Sequence, residues 1–234
     1  MEINQNVFLK YYNKDKQIII FLLCLKEKKE LIKPPKYVLI KIFKNINYLF
    51  DESTILNDEN HKNMLIKWIK EIENIQKQSS KLIYCSSKNG YTSKKFHEFC
   101  DNKLNTISLI KSNNFIFGGF TSISWEQGDG NYGNYKDDPK SFIFSISNPS
   151  NQPIKFKYKN DGCSIFCYED YGPVFGLGNE IDISDYSNKN ENSKSDLGYS
   201  FEGCPFKYGT KEAQKFLCGS YQFKVQEIEV FQLF

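Results

Sequence analysis

Glycine is missing from the first 89 residues of this chain: all 14 glycines fall at Gly90 or later. Because glycine enters left-handed backbone without steric cost, tight reversals concentrate where it is present. The chain therefore divides into a glycine-free front and a punctuated back. In the front, Tyr37, Leu39, Ile40, Phe43, Ile46 and Leu49 or Phe50 recur at three- and four-residue steps behind Pro34-Pro35. That spacing predicts a helix that proline can start. A second helix is expected after Asn57 as its N-cap, with Asp58 and Glu59 in the first turn, where the dipole favours acids. Its stripe of Met64, Leu65, Trp68, Ile69, Ile72 and Ile75 suits packing on a core.

Beyond residue 80 the apolar period changes to two. Strands are expected at Lys81–Ser86, Thr106–Lys111, Asn114–Ser122, Ser141–Ser147, Ile154–Tyr158, Cys163–Tyr168, Glu180–Ser184 and Tyr221–Leu233, with a short helix near Ser93–Asn102. Asn89-Gly90, Asp129-Gly130, Asp161-Gly162 and Tyr171-Gly172-Pro173 carry turn chemistry between them, and residues 187–195 form a polar loop. In the last strand the phase shifts from Tyr221, Phe223 and Val225 to Ile228 and Val230, which suggests a bulge at Gln226-Glu227. Eight short strands at hairpin spacing predict an α+β, mainly β fold: a two-sheet antiparallel β-sandwich with short flanking helices. A small helical segment over residues 1–52 precedes the domain at 53–234. An aromatic content of 16% supports strands, and a single alanine, Ala213, is a poor supply for a helical bundle.

All 31 basic residues are lysine and 23 residues are asparagine, a composition that AT-rich coding explains. The net charge of +3 is too small and dispersed for a nucleic-acid binder. Residues 1–52 alone carry ten lysines against six acids, so any contact with an anionic membrane is expected there. The run Ile18–Leu25 has eight residues, against the roughly 20 needed to span a bilayer. Seven cysteines, an odd number, in a chain long enough to build a core without staples predict free thiols and a cytoplasmic protein.

Catalytic signals are thin. His97 and Cys100 share a predicted helix face at i,i+3, yet no flanking motif supports a nucleophilic pair. Cys163 and Cys167 on one strand lie roughly 13 Å apart, too far to share a zinc ion. Gly128–Gly133 fits G-x-G-x-x-G by letter, but a turn and a strand follow it instead of a helix N-terminus. No cofactor or metal is expected.

Ordered stretches across the back resemble the TLDc domain, found in oxidation-resistance proteins and several vesicle-trafficking regulators. They are Leu82–Tyr91 with Phe96-His97, Cys100–Lys103, Phe117–Ser122 with Trp125, Asp138–Ser145, Tyr171–Gly176 with Asp182–Asp185, and Tyr221, Phe223 and Glu227–Phe231. The resemblance extends over about residues 53–234. It implies a sandwich without established enzymology, associated with oxidative-stress resistance and with binding the cytosolic sector of the V-ATPase. A non-catalytic interaction module is therefore expected, at most peripheral on vesicle or vacuolar membranes. Trp125 is the candidate anchor, and Glu126, Asp138, Glu227 and Glu229 are candidate interaction charges. Gly118, Gly119, Gly172 and Gly219 are candidate scaffold positions. Two alternatives remain open. One is a thiol-based peroxide-handling enzyme using Cys85, Cys204 or Cys218. The other is a ubiquitin-ligase or membrane adaptor working through residues 1–52, where Pro34–Phe43 resembles the opening helix of an F-box.

Overall fold

A computed structural model describes residues 8–13, 16–21, 49–72, 79–128 and 132–234, and the chain divides into two units, Met1–Tyr48 and Leu49–Phe234. In the smaller unit β1 (Phe8–Asn13) and β2 (Lys16–Phe21) form an antiparallel hairpin, with Phe8 opposite Phe21 and Asn13 opposite Lys16. This corrects the helical expectation for that stretch. Three consecutive isoleucines and the flanking Phe and Tyr residues suit a pleated strand better than a helix, because branching at Cβ restricts the helical rotamer. The helix expected behind Pro34-Pro35 falls almost wholly outside the described residues.

The larger unit opens with α1 (Glu59–Lys70). Its N-cap is Asp58, one residue later than expected, and the Asp58 carboxylate accepts from the amides of Asn60 and His61. Next come β3 (Ser80–Cys85), α2 (Ser86–Asn89), α3 (Ser93–Cys100), β4 (Thr106–Ser112), β5 (Phe115–Thr121), β6 (Asn134–Lys136) and β7 (Phe142–Ser147). After these lie β8 (Ile154–Tyr158), β9 (Ile165–Cys167), β10 (Tyr171–Phe175), β11 (Ile181–Ser184), β12 (Ser193–Lys194) and β13 (Phe201–Glu202). The chain closes with α4 (Lys211–Lys215), β14 (Gln222–Phe223) and β15 (Glu227–Leu233).

These strands build two antiparallel sheets. One has seven strands in the order β13-β8-β7-β5-β4-β15-β3, the other six in the order β14-β12-β11-β10-β9-β6. Between them lies a core that includes Ile110, Phe117, Ile143, Phe156, Phe175, Ile181, Ile183, Phe223, Ile228 and Val230. The opposite face of the seven-stranded sheet is buried too. Ile107, Leu109, Phe120, Phe142, Phe144, Phe231 and Leu233 pack there against Leu49, Phe50, Ile55, Leu56, Leu65 and Ile69. Burial on both faces explains why β5 and β7 read as nearly continuous apolar runs.

The phase shift in the last predicted strand has a larger cause than a bulge there. Phe223 belongs to the six-stranded sheet and Ile228 to the seven-stranded one, so the chain changes sheet between them. Both side chains face the same core from opposite sides. The irregularity within β15 falls later, between Val230 and Phe231. Strand β10 went unpredicted because Gly172 and Pro173 read as a turn; the register shift between Tyr171 and Val174 accommodates them.

Asparagine supplies many of the reversals. Of the nine described non-glycine residues with positive φ, seven are asparagine. Asn113 and Asn114 (φ 48° and 68°) form the two-residue connection from β4 to β5, the conformation a primed hairpin turn requires.

Candidate functional site

Trp125 is 1% exposed and so is not a surface anchor. Its ring meets Phe96 at 5.4 Å and Phe175 at 5.5 Å edge to face, and its indole N–H donates to Thr106 Oγ1 at 3.0 Å. The amide of Asn102 donates to the Trp125 carbonyl, which ties this segment to the end of α3. An indole with a donor partner and aromatic neighbours is stable in a core, whatever turn follows it in sequence.

Three of the four candidate interaction acids hold the fold. Asp138 is buried and accepts from Thr121 Oγ1 (2.9 Å), Ser122 N (2.5 Å), Ser122 Oγ (2.7 Å) and Lys140 N (3.1 Å). Glu229, on the outer face of β15, accepts from Ser53 Oγ (2.5 Å), Thr54 N (2.7 Å) and Thr54 Oγ1 (2.7 Å). Glu227 accepts from Ser86 Oγ (2.5 Å) and Ser87 N (3.0 Å), the first residues of α2. Only Glu126 presents much of its side chain to solvent, paired with Lys136 Nζ at 3.2 Å.

The glycines fall into two kinds. A Cβ on Gly118 would lie 1.9 Å from the Ser108 carbonyl oxygen, and one on Gly119 would lie 2.6 Å from the Phe175 ring. At Gly172 the nearest atom would be an Ile183 methyl at 3.2 Å, while Gly219 is set by its backbone, at φ +83°.

Glu180 is a buried acid that the sequence did not single out. Its carboxylate accepts from four consecutive amides, Gly198 (2.9 Å), Tyr199 (3.0 Å), Ser200 (2.8 Å) and Phe201 (3.0 Å). Burial pushes it up to about 7 against the pull of those four donors.

One open cleft brings titratable groups together. About 490 Å³ in volume, it lies between the start of α3, the β9–β10 turn and the residues after β11, lined among others by Lys94, His97, Glu169, Asp170, Asp185 and Tyr186. His97 is held on both sides, Nδ1 2.7 Å from Asp101 Oδ1 and Nε2 2.9 Å from the Tyr168 carbonyl. Burial opposes its charge, but the Asp101 carboxylate wins and the pKa is raised. Two acceptors suit an imidazolium that donates from both nitrogens, with neither left to act as a base. Cys100, its predicted partner, is fully buried and its thiol is pushed well up by that burial. Asp185 accepts from the Ser93 amide at 2.8 Å and so positions the first turn of α3. Glu169 and Asp170 on the turn are exposed, as is Lys94 on α3, so two acids stand against one lysine at the rim. The i,i+4 spacing of His97 and Asp101 was visible in the sequence; the meeting of Asp185 with α3, 92 residues away, was not.

Two antiparallel sheets closed around one core, with a helical layer on the outer face of the larger sheet, define a β-sandwich scaffold whose acids tie its loops. The chain belongs to the TLDc domain family, whose model matches residues 49–234, the whole of the larger unit. No curated protein matches it. No helix among the described residues is long and apolar enough to cross a membrane.

Proposed function

We propose that this chain is a non-catalytic protein-interaction module and that its partner is the cytosolic sector of the V-ATPase. Membership of the TLDc family is what supports the partner; a contribution to oxidative-stress resistance would then follow from regulating the pump. The module acts at the cytosolic face of vesicle or vacuolar membranes and needs no cofactor. The observation that carries the recognition mode is the cleft between α3 and the β9–β10 turn. Its rim acids Glu169 and Asp170 are exposed, while His97 and Asp185 are already spent on internal hydrogen bonds. A basic segment of the partner fits such a rim, with charge setting encounter rate and register more than final affinity.

A peroxide-handling thiol finds little support. Burial raises Cys204 and Cys218, so the thiolate that would attack peroxide is disfavoured. Cys85 is buried beside Ser87 and Glu227.

The test is affinity capture of V-ATPase subunits by the full-length chain, run beside a double charge reversal, Glu169→Lys with Asp170→Lys. The native chain is expected to recover pump subunits at low salt and the variant to lose them with an unchanged far-UV spectrum. Recovery of no pump subunit by the native chain removes the partner. Equal recovery by the variant removes the cleft as the contact surface.

A further inference from the structure

The outer face of the six-stranded sheet carries one row of residues in register across five strands. Tyr135 lies opposite Phe166, Phe166 opposite Val174, Val174 opposite Asp182, and Asp182 opposite Lys194. Ile181 and Ile183 turn into the inter-sheet core, so strand alternation aims Asp182 the other way. Aromatic rings crowd that face. Phe166 lies 4.6 Å from Tyr135, 6.1 Å from Tyr168 and 6.3 Å from Tyr171, centroid to centroid. These four, with Tyr132 and Asp182, line an open cavity of about 370 Å³. Asp182 is 4% exposed, and its Oδ1 is buried without a hydrogen-bond partner. Lys194, its register neighbour, forms no ion pair with it among the described residues.

We infer that this cavity binds an alkylammonium group that keeps at least one N–H, of the type of a lysine side chain or its dimethylated form. Five aromatic side chains line it, and the face of such a ring attracts a cation. The orphaned Oδ1 asks for a donor, which an ammonium N–H supplies and a quaternary ammonium lacks. A guanidinium fork is best served by two acceptors side by side, whereas a single oxygen is orphaned here. Burial pushes the Asp182 carboxyl up to about 6, with Lys194 pulling the other way, and a seated ammonium would add the counter-charge that is missing. The cavity shares no lining residue with the acidic cleft, so the two sites fail or survive separately.

The test is ligand-observed NMR on the full chain with N-acetyl-lysine N-methylamide, its Nε-dimethyl, Nε-trimethyl and Nε-acetyl derivatives, and n-butylammonium. Ring currents are expected to move the ε-methylene and N-methyl signals of the unmodified and dimethyl probes upfield, and the acetyl probe is expected to stay unbound. Tighter binding of the lysine amide than of n-butylammonium would identify a protein side chain as the source; parity would identify a free amine. Asp182→Asn is expected to weaken binding about tenfold and Phe166→Leu about threefold, with near-UV spectra unchanged. Trimethyl binding as tight as dimethyl, acetyl-lysine binding as tight as lysine, or Asp182→Asn and Phe166→Leu both binding like the native chain would each overturn the inference. So would no binding of any probe at millimolar concentration.

Discussion

Removing the Glu229 carboxylate separates its two possible roles, latch or recognition charge. Three hydrogen bonds reach it, from Ser53 Oγ, Thr54 N and Thr54 Oγ1, and they hold the segment that carries Ile55 and Leu56 into the outer core. A hydrogen bond to a charged group contributes about 1.5–3 kcal/mol. The full sum does not apply, because Thr54 is exposed and Ser53 half-buried, so water reclaims the released donors. Glu229→Ala should therefore cost about 2–4 kcal/mol, a large share of the roughly 5–15 kcal/mol that a domain usually has. Glu229→Gln, which keeps one acceptor oxygen, should cost about half as much. The assay is urea unfolding of Glu229→Ala, Thr54→Val and the double variant. A coupling of about 1–2 kcal/mol is expected, since each change removes the same contact. Costs that add within about 0.5 kcal/mol would refute the latch. An unchanged midpoint in Glu229→Ala, together with loss of partner capture, would return Glu229 to the surface role expected from sequence.

Two further predictions concern stability. Gly118→Ala places a methyl 1.9 Å from a backbone oxygen, whereas Gly209→Ala meets nothing within 4 Å and bears only its φ of +80°. The first should cost at least about 3 kcal/mol and the second about 1–2 kcal/mol by chemical denaturation, and the reverse order would refute the packing argument. Glu180 and Asp182 are raised in the folded state, from 4.5 to about 7 and from 3.8 to about 6. The folded state then holds their protons more tightly than the unfolded chain, so their contribution to stability falls as pH rises between about 4 and 7. Asp182→Asn should make the fall in unfolding midpoint over that window shallower; a midpoint curve parallel to the native one would contradict the assignment.

The sandwich was legible because its signals are local. Runs such as Phe115–Thr121 and Phe142–Ser147 are apolar on both faces and end at turn residues, so their strands could be placed within a residue or so. Sheet membership was not legible. Nothing in Phe223-Lys224-Val225-Gln226 says that the chain leaves one sheet for the other, because both neighbours of the crossing bury into a shared core. Asparagine was discounted as coding bias, although at Asn113 and Asn114 it performs the reversal that glycine performs elsewhere. The bonding of Glu227 and Glu229 was not legible, because sequence gives an acid's neighbours along the chain, whereas their donors lie 141 and 176 residues away. The aromatic cavity was illegible because pairing and register, not spacing along the chain, decide which residues share its face: Tyr135 on β6 lies opposite Phe166 on β9.

The position of β15 bears on how the protein is made. This strand follows every other in sequence, yet it lies inside the seven-stranded sheet, hydrogen-bonded to β4 on one side and β3 on the other. Until residues 227–233 have emerged from the ribosome, β3 has no neighbour and β4 offers a bare edge. Such edges are templates for pairing with other nascent chains. Translation must pass residue 233 before the seven-stranded sheet can close, and a stall ahead of β15 would leave a product with the seam still open.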